Sequence, residues 1–309
     1  MAGTDFSWQP RDGSGISVRF VEANGLTFEL AETGPRQARR LAIMLHGFPE
    51  LNFSWRHQMP DLAALGWRVW APNLRGYGAS SKPEGIDAYT IDKLLADVGA
   101  LIDLALAESP ADEIMLIAHD WGAVIAWSFA IRKIRPIDRL VIMNVPHPKC
   151  AEREIRHWRQ LRKSWYMFFF QIRHLPERLM LARDARAVRR AFLDSAANKG
   201  NFPAADLDVY AKAAQRPGAM TAMLNYYRAL FKFREANGAA LGDAMVDVPT
   251  LVIWGENDIA LDIHLLDGME QWVPKLTLHR LPGISHWVQQ DAPEEVNRLL
   301  AQWLDDDRV

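Results

Sequence analysis

Short apolar runs alternate with longer amphipathic ones through the first half of the chain and again near its end, and no other feature limits the fold so tightly. Residues 41–45, 68–71, 114–118 and 140–143 are short, apolar or β-branched, and bounded by turn residues, as strands buried on both faces tend to be. Between them, residues 53–65, 91–107 and 123–132 have helical length and periodicity. Strand–helix repetition of this kind predicts an α/β fold with a mostly parallel sheet covered by helices. Residues 16–21 and 26–31, around Asn24 and Gly25, read as an antiparallel hairpin that opens the sheet. The pattern then stops. Residues 148–247 are helical in character, rich in arginine and aromatics, and contain no convincing strand. Alternation resumes with a strand at 250–254, a helix near 264–271, a strand at 276–281 and a closing helix at 293–304. The expected organisation is therefore a core of residues 1–147 and 248–309, split by an all-helical cap of residues 148–247 over the carboxyl edge of the sheet, where such folds bind ligands.

Composition narrows the partners. The 309 residues are 49% hydrophobic and 24% charged, ordinary for a globular enzyme with a large core. A formal net charge of −2 gives no electrostatic case for nucleic acid or for an anionic membrane. The single cysteine, Cys150, has no partner for a disulfide or a shared metal, which points to a cytoplasmic protein. Residues 1–15 are polar, and no run reaches about 18 uncharged apolar residues, so neither a signal peptide nor a membrane span is expected. Monomer and homodimer fit equally.

The chemistry gathers in the loops after the strands. Ala118-His119-Asp120-Trp121-Gly122 follows an apolar strand and opens a helix, with small residues two places either side of Asp120. That is the steric requirement of a tight strand-to-helix elbow, which thrusts its central side chain into a pocket. A carboxylate there needs no general base, because its ordinary pKa is about 4, and a helix amino terminus favours the anion. The plainer reading makes Asp120 only the N-cap of the next helix. His286 lies between the last strand and the last helix, where the chain order nucleophile, acid, histidine expects the base. Asp258, just past the strand at 250–254, can orient that imidazole, although Glu256 and Asp262 also have a claim. Finally, His46-Gly47-Phe48-Pro49 follows the strand at 41–45, so the backbone N–H groups of Phe48 and Trp121 are candidate oxyanion donors.

His46-Gly47-Phe48-Pro49-Glu50, Arg75-Gly76-Tyr77-Gly78-Ala79-Ser80, His119-Asp120-Trp121-Gly122 and Gly283-Ile284-Ser285-His286-Trp287 occur in the order and context of the epoxide hydrolase branch of the α/β-hydrolase superfamily. The chain resembles that family from roughly Arg19 to its end. The resemblance implies the α/β-hydrolase fold, a covalent ester on Asp120, water activation by His286 with Asp258, and two cap tyrosines that hold the epoxide oxygen. By similarity these are Tyr166 and Tyr227. Independently, Met220, Met223, Leu224, Tyr227, Leu230 and Phe231 share one helix face, with Tyr226 turned about 100° away. Packing under the cap would account for both tyrosines without chemistry. The aromatic stretch 165–170 suggests an apolar or aryl epoxide, and Trp165, Phe169 and Trp287 are the expected substrate contacts. The reaction implied uses water and no cofactor or metal; the sequence has no zinc-type His/Cys spacing and no phosphate loop.

Other readings share parts of this pattern. Haloalkane dehalogenases also use an aspartate nucleophile and a residue like Trp121, but their loop usually has asparagine where this chain has Phe48. A fluoroacetate dehalogenase has arginine after the nucleophile, where this chain has Trp121, and His-Trp in the cap, where it has Tyr166. A serine esterase is disfavoured by Asp120 itself. A catalytically silent ligand-binding protein on the same fold is the reading from outside enzymology, and the full set of reactive residues argues against it.

Overall fold

Asn24 and Gly25 both take positive φ, 50° and 70°, the backbone twist that a two-residue connection between antiparallel strands requires. There β1 (Ser17–Ala23) and β2 (Leu26–Thr33) pair, with Ala23 opposite Leu26. The coordinates are a computed structural model that describes residues 5–233 and 242–306. Residues 1–4, 234–241 and 307–309 lie outside it, and with them the two ends of the expected core and part of the expected cap.

Six more strands follow: β3 (Arg40–Leu45), β4 (Arg68–Pro72), β5 (Glu113–His119), β6 (Arg139–Met143), β7 (Thr250–Gly255) and β8 (Leu276–Leu281). All eight join one sheet in the order β1-β2-β4-β3-β5-β6-β7-β8, in which β2 alone runs against the rest. Leu41 to Leu45 have no exposed surface, which is why β3 reads as a continuous apolar run. The edge strand β8 keeps partly exposed positions instead.

Core helices are α1 (Gln58–Ala64), α2 (Ile91–Glu108), α3 (Trp121–Ile131) and, near the end, α10 (Val288–Asp291) and α11 (Pro293–Asp306). From β3 through α1 the chain steps towards β2, and from β4 through α2 it steps back across β3 to β5. Because such crossovers are right-handed, this reversal places α1 on one face and α2 and α3 on the other. Accordingly α1 packs with α11, and α2 with α3. The reversal point lies between the carboxyl ends of β3 and β5, which is where the site forms.

Two expected helices take other forms. The stretch 53–65 is a single 3-10 turn (Asn52–Trp55) followed by α1; Pro60 lacks an N–H and is tolerated only in a first turn, so an α-helix cannot run through from residue 53. The stretch 264–271 is two 3-10 turns, Ile263–Leu266 and Met269–Gln271, separated by Gly268 at φ 74°.

Between β6 and β7 stand α4 (Pro148–Glu154), α5 (Trp158–Lys163), α6 (Trp165–Phe169), α7 (Leu175–Leu193), α8 (Ala204–Ala214) and α9 (Ala219–Lys232), with no strand among the described residues of this stretch. α7 is broken where Arg183, Asp184 and Ala185 adopt positive φ. Polar links tie these helices to the core: Tyr226 Oη donates to Arg75 O at 2.8 Å, and Arg56 pairs with Asp206 at 2.9 Å. Among the described residues no helix is long and apolar enough to cross a membrane.

Candidate active site

Asp120 sits on the elbow between β5 and α3 with φ 48° and ψ −122°, a backbone conformation costly for a non-glycine residue and held only where the surroundings enforce it. Two glycines make the geometry feasible. A Cβ on Gly122 would stand 2.1 Å from Leu45 O, and one on Gly47 would stand 2.3 Å from the Asp120 Cβ. Asp120 is the N-cap by position, yet its side chain makes no capping hydrogen bond. The carboxylate instead accepts from the Phe48 N–H, 2.6 Å from Oδ1. Trp121 opens α3, so its N–H belongs to the first turn, whose donors have no intrahelical partner.

The other two expected members converge on the same point. His286 Nε2 lies 3.6 Å from Asp120 Oδ2, and its Nδ1 lies 2.6 Å from Asp258 Oδ2. Asp258 has no exposed side-chain surface. Its Oδ1 accepts from the Ala260 and Leu261 N–H groups, and its Oδ2 also accepts from Asn144 Nδ2 at 2.7 Å. The rival acids are engaged elsewhere, Glu256 with Arg280 and Asp262 with the His264 N–H. Burial alone would drive protons off His286 and onto both carboxylates. Asp258 and Asp120 outweigh it and raise His286 to about 10, while both carboxyls are held below their usual range.

Above the carboxylate, aromatic rings close the space. Tyr227 packs edge-on against Trp121 (5.0 Å between centroids), Phe170 (5.0 Å) and Phe48 (5.4 Å), and Tyr166 lies 5.9 Å from Tyr227. Burial first, and the Asp120 charge second, push both phenols well above their ordinary pKa, so both hold their protons at neutral pH. Tyr226 also packs edge-on against Trp121 (5.3 Å), but its hydroxyl donates to Arg75 O and its ring meets Tyr77 and Tyr89. Of the expected substrate contacts, Trp287 is buried beside His286, with its indole N–H 2.9 Å from Ser195 Oγ. Phe169 is half-buried against Phe170. Trp165 is 64% exposed, with its ring 6.1 Å from that of Phe169.

Several polar residues that the sequence reading left without a role complete the surroundings. Glu50, fully buried, accepts from the Gly47 N–H and from His119 Nδ1 at 2.6 Å through Oε2, and from Gln289 and Gln290 through Oε1. His119 Nε2 stands 2.8 Å from the His286 carbonyl oxygen. Burial would raise the Glu50 carboxyl, but His119 outweighs it and keeps the group below the usual range. His46, lowered by burial to about 4, is neutral; its Nε2 accepts from the Leu74 N–H. Asp291 accepts from the Ser285, Ala197 and Asn198 N–H groups, joining the histidine loop to the segment after α7. Glu50 and His119 stand inside the motifs read from the sequence, but only as neighbours of Gly47 and Asp120. Asn144, just past the end of β6, stands outside those motifs. Among the described residues no three His, Cys, Asp or Glu side chains gather as a metal site.

A mostly parallel sheet with a carboxylate on its elbow, a histidine–acid pair beside it and the Phe48 N–H against it is the arrangement of an α/β hydrolase. A family profile described as alpha/beta hydrolase fold matches residues 43–293. Epoxide hydrolase 1 of Caenorhabditis elegans is 34% identical over 301 residues, covering 96% of this chain and 72% of that protein. The AB hydrolase superfamily protein YfhM of Bacillus subtilis is 35% identical, covering 94% and 98%. Among solved structures, the epoxide hydrolase of Bacillus megaterium in complex with an inhibitor superposes with a TM-score of 0.82 at 32% identity, covering 93% of this chain and all of that one. The chain belongs to the α/β hydrolase fold family and, within it, to the epoxide hydrolases.

Proposed function

We propose that the protein opens an apolar epoxide to a vicinal diol through a covalent ester on Asp120. The observation that carries this reading is the Asp120 carboxylate itself, ionised, free of capping duty and held at one oxygen by the Phe48 N–H. Asp120 attacks a ring carbon and the C–O bond breaks. Tyr166 and Tyr227 donate hydrogen bonds to the departing oxygen, and the alkoxide takes its proton from one of the two phenols. His286, oriented by Asp258, then removes a proton from water, which attacks the ester carbonyl. The Phe48 and Trp121 N–H groups hold the oxyanion that forms; its collapse expels the diol oxygen, which takes the proton from His286, and the Asp120 acid left behind gives up its proton, which replaces the one lost by the phenol. The insertion 148–247 acts as the cap, and Phe48, Trp121, Phe169, Phe170 and Trp287 supply apolar walls. Trp165, largely exposed, is not counted among those walls. The same fold and nucleophile occur in dehalogenases, but two phenols above the carboxylate suit an oxygen leaving group better than a halide.

The origin of the new oxygen tests the covalent route. One turnover of styrene oxide in ¹⁸O-water, with enzyme in excess, should give mostly unlabelled diol and place the label in the peptide containing Asp120. Labelled diol from the first turnover would mean direct attack by water and would sink the ester.

A further inference from the structure

The outer sides of α5, α6 and the start of α7 are apolar and cationic at once. Twelve large hydrophobic residues are exposed among the described residues, and eight of them fall within 155–179. They concentrate in one stretch of three successive helices, where a soluble surface normally shows single scattered residues. From Ile155 the exposed side chains recur every three or four positions, through Trp158, Leu161, Trp165 and Phe168 to Ile172 and on to Leu179. Their helices already have inner partners. In α5, Gln160 donates to Ala260 O at 2.9 Å and Lys163 to Asp258 O at 2.7 Å; in α6, Tyr166 packs on Tyr227. The outward residues are therefore not awaiting a place in this chain's own core.

Charge identifies the partner. Between Lys149 and Arg190 stand twelve Lys and Arg against four Asp and Glu, in a chain whose formal net charge is −2. Arg156, Arg159, Arg173 and Arg178 are exposed and form no ion pair among the described residues, and Arg162 lies over the Trp158 ring at 5.3 Å. A second copy on a two-fold axis would set these cations against themselves. A free anion would satisfy the arginines and leave the apolar row in water. An anionic bilayer surface takes both, with acyl chains for the apolar side chains and headgroups for the guanidinium groups.

We propose that this face of the helical insertion docks on anionic lipid bilayers, lying in the interface without crossing it. The net charge conceals the site, because it averages a cationic insertion with an acidic remainder. The docking is independent of the reaction assigned to Asp120.

Sedimentation with vesicles tests it. The whole protein should pellet with phosphatidylcholine vesicles that contain phosphatidylserine, remain in solution with phosphatidylcholine alone, and be released as salt rises. The charge reversal R156E/R159E/R173E should lower binding about tenfold or more, and Trp158→Ser should weaken it further. Both variants should keep the parent melting temperature, which separates lost docking from lost folding. No binding of the parent protein to the phosphatidylserine vesicles overturns the proposal, as does equal binding to both lipids. A dimer in sedimentation equilibrium that Trp158→Ser dissociates would assign the face to a second copy and overturn it too.

Discussion

His286 Nε2 and Asp120 Oδ2 stand 3.6 Å apart, an ion-pair contact slightly long for a hydrogen bond. The pair is coupled electrostatically: Asp120 helps raise His286, and His286 helps hold Asp120 ionised. Esterification erases the Asp120 charge and with it part of what keeps the proton on His286. Alkylation thereby turns the imidazolium towards its role as a base.

The pH dependence of the two half-reactions follows. Ester hydrolysis needs His286 without its proton, so its rate should rise with pH through a pKa below the value of about 10 in the free protein. Ester formation needs ionised Asp120, whose carboxyl is held below its usual range, so it should stay level down to about pH 4. Stopped-flow tryptophan fluorescence resolves the two phases. A hydrolysis rate that ignores pH all the way from about 4 to about 10 would remove His286 as the base.

His286→Gln should still form the ester and fail to hydrolyse it, because the first step uses no base. Mass spectrometry of the variant with styrene oxide should find a lasting adduct on the peptide containing Asp120. Normal turnover would show that another group activates water.

Tyr166→Phe or Tyr227→Phe should slow ester formation by about 10- to 1000-fold, the scale for loss of one preorganised donor. Tyr226→Phe removes instead the 2.8 Å bond to Arg75 O. It should cost about 1 kcal/mol of stability in urea denaturation and leave ester formation nearly unchanged. Equal kinetic losses at Tyr226 and Tyr227 would contradict the engagement of the Tyr226 hydroxyl with Arg75 O.

Asn144→Ala deprives Asp258 of its 2.7 Å side-chain donor and frees the end of β6 from Gly255. Hydrolysis should slow about tenfold, on the scale of one donor to a charged group, and ester formation should change much less. A variant that slowed both steps alike would show Asn144 to be a general support for the sheet.

Gly47→Ala should reduce both steps about 100-fold or more, since its Cβ would meet the Asp120 side chain at 2.3 Å and displace the Phe48 donor. Full activity would mean that the loop relaxes at no cost.

The positions of the strands, the Asn24–Gly25 turn and the glycine-flanked elbow were legible because each depends on local terms: period, turn conformation, and the steric room of a single residue. The two helices drawn wrongly failed for related reasons, since apolar spacing alone does not register how Pro60 limits where a helix starts or how Gly268 divides one. Residues 16–33, 41–45 and 114–122 thus carry enough local information to specify the sheet's first hairpin, its centre and the carboxylate at its edge. Which acid faces His286 could not be read the same way, because Glu256, Asp258 and Asp262 lie within seven residues and differ only in what the fold brings to them. Asn144 and His286 reach Asp258 from 114 and 28 positions away; Glu50 meets His119 across 69. Periodicity states which face of an element is buried but not which partner fills the space beyond it, and partners of that kind exist only once the chain has closed on itself.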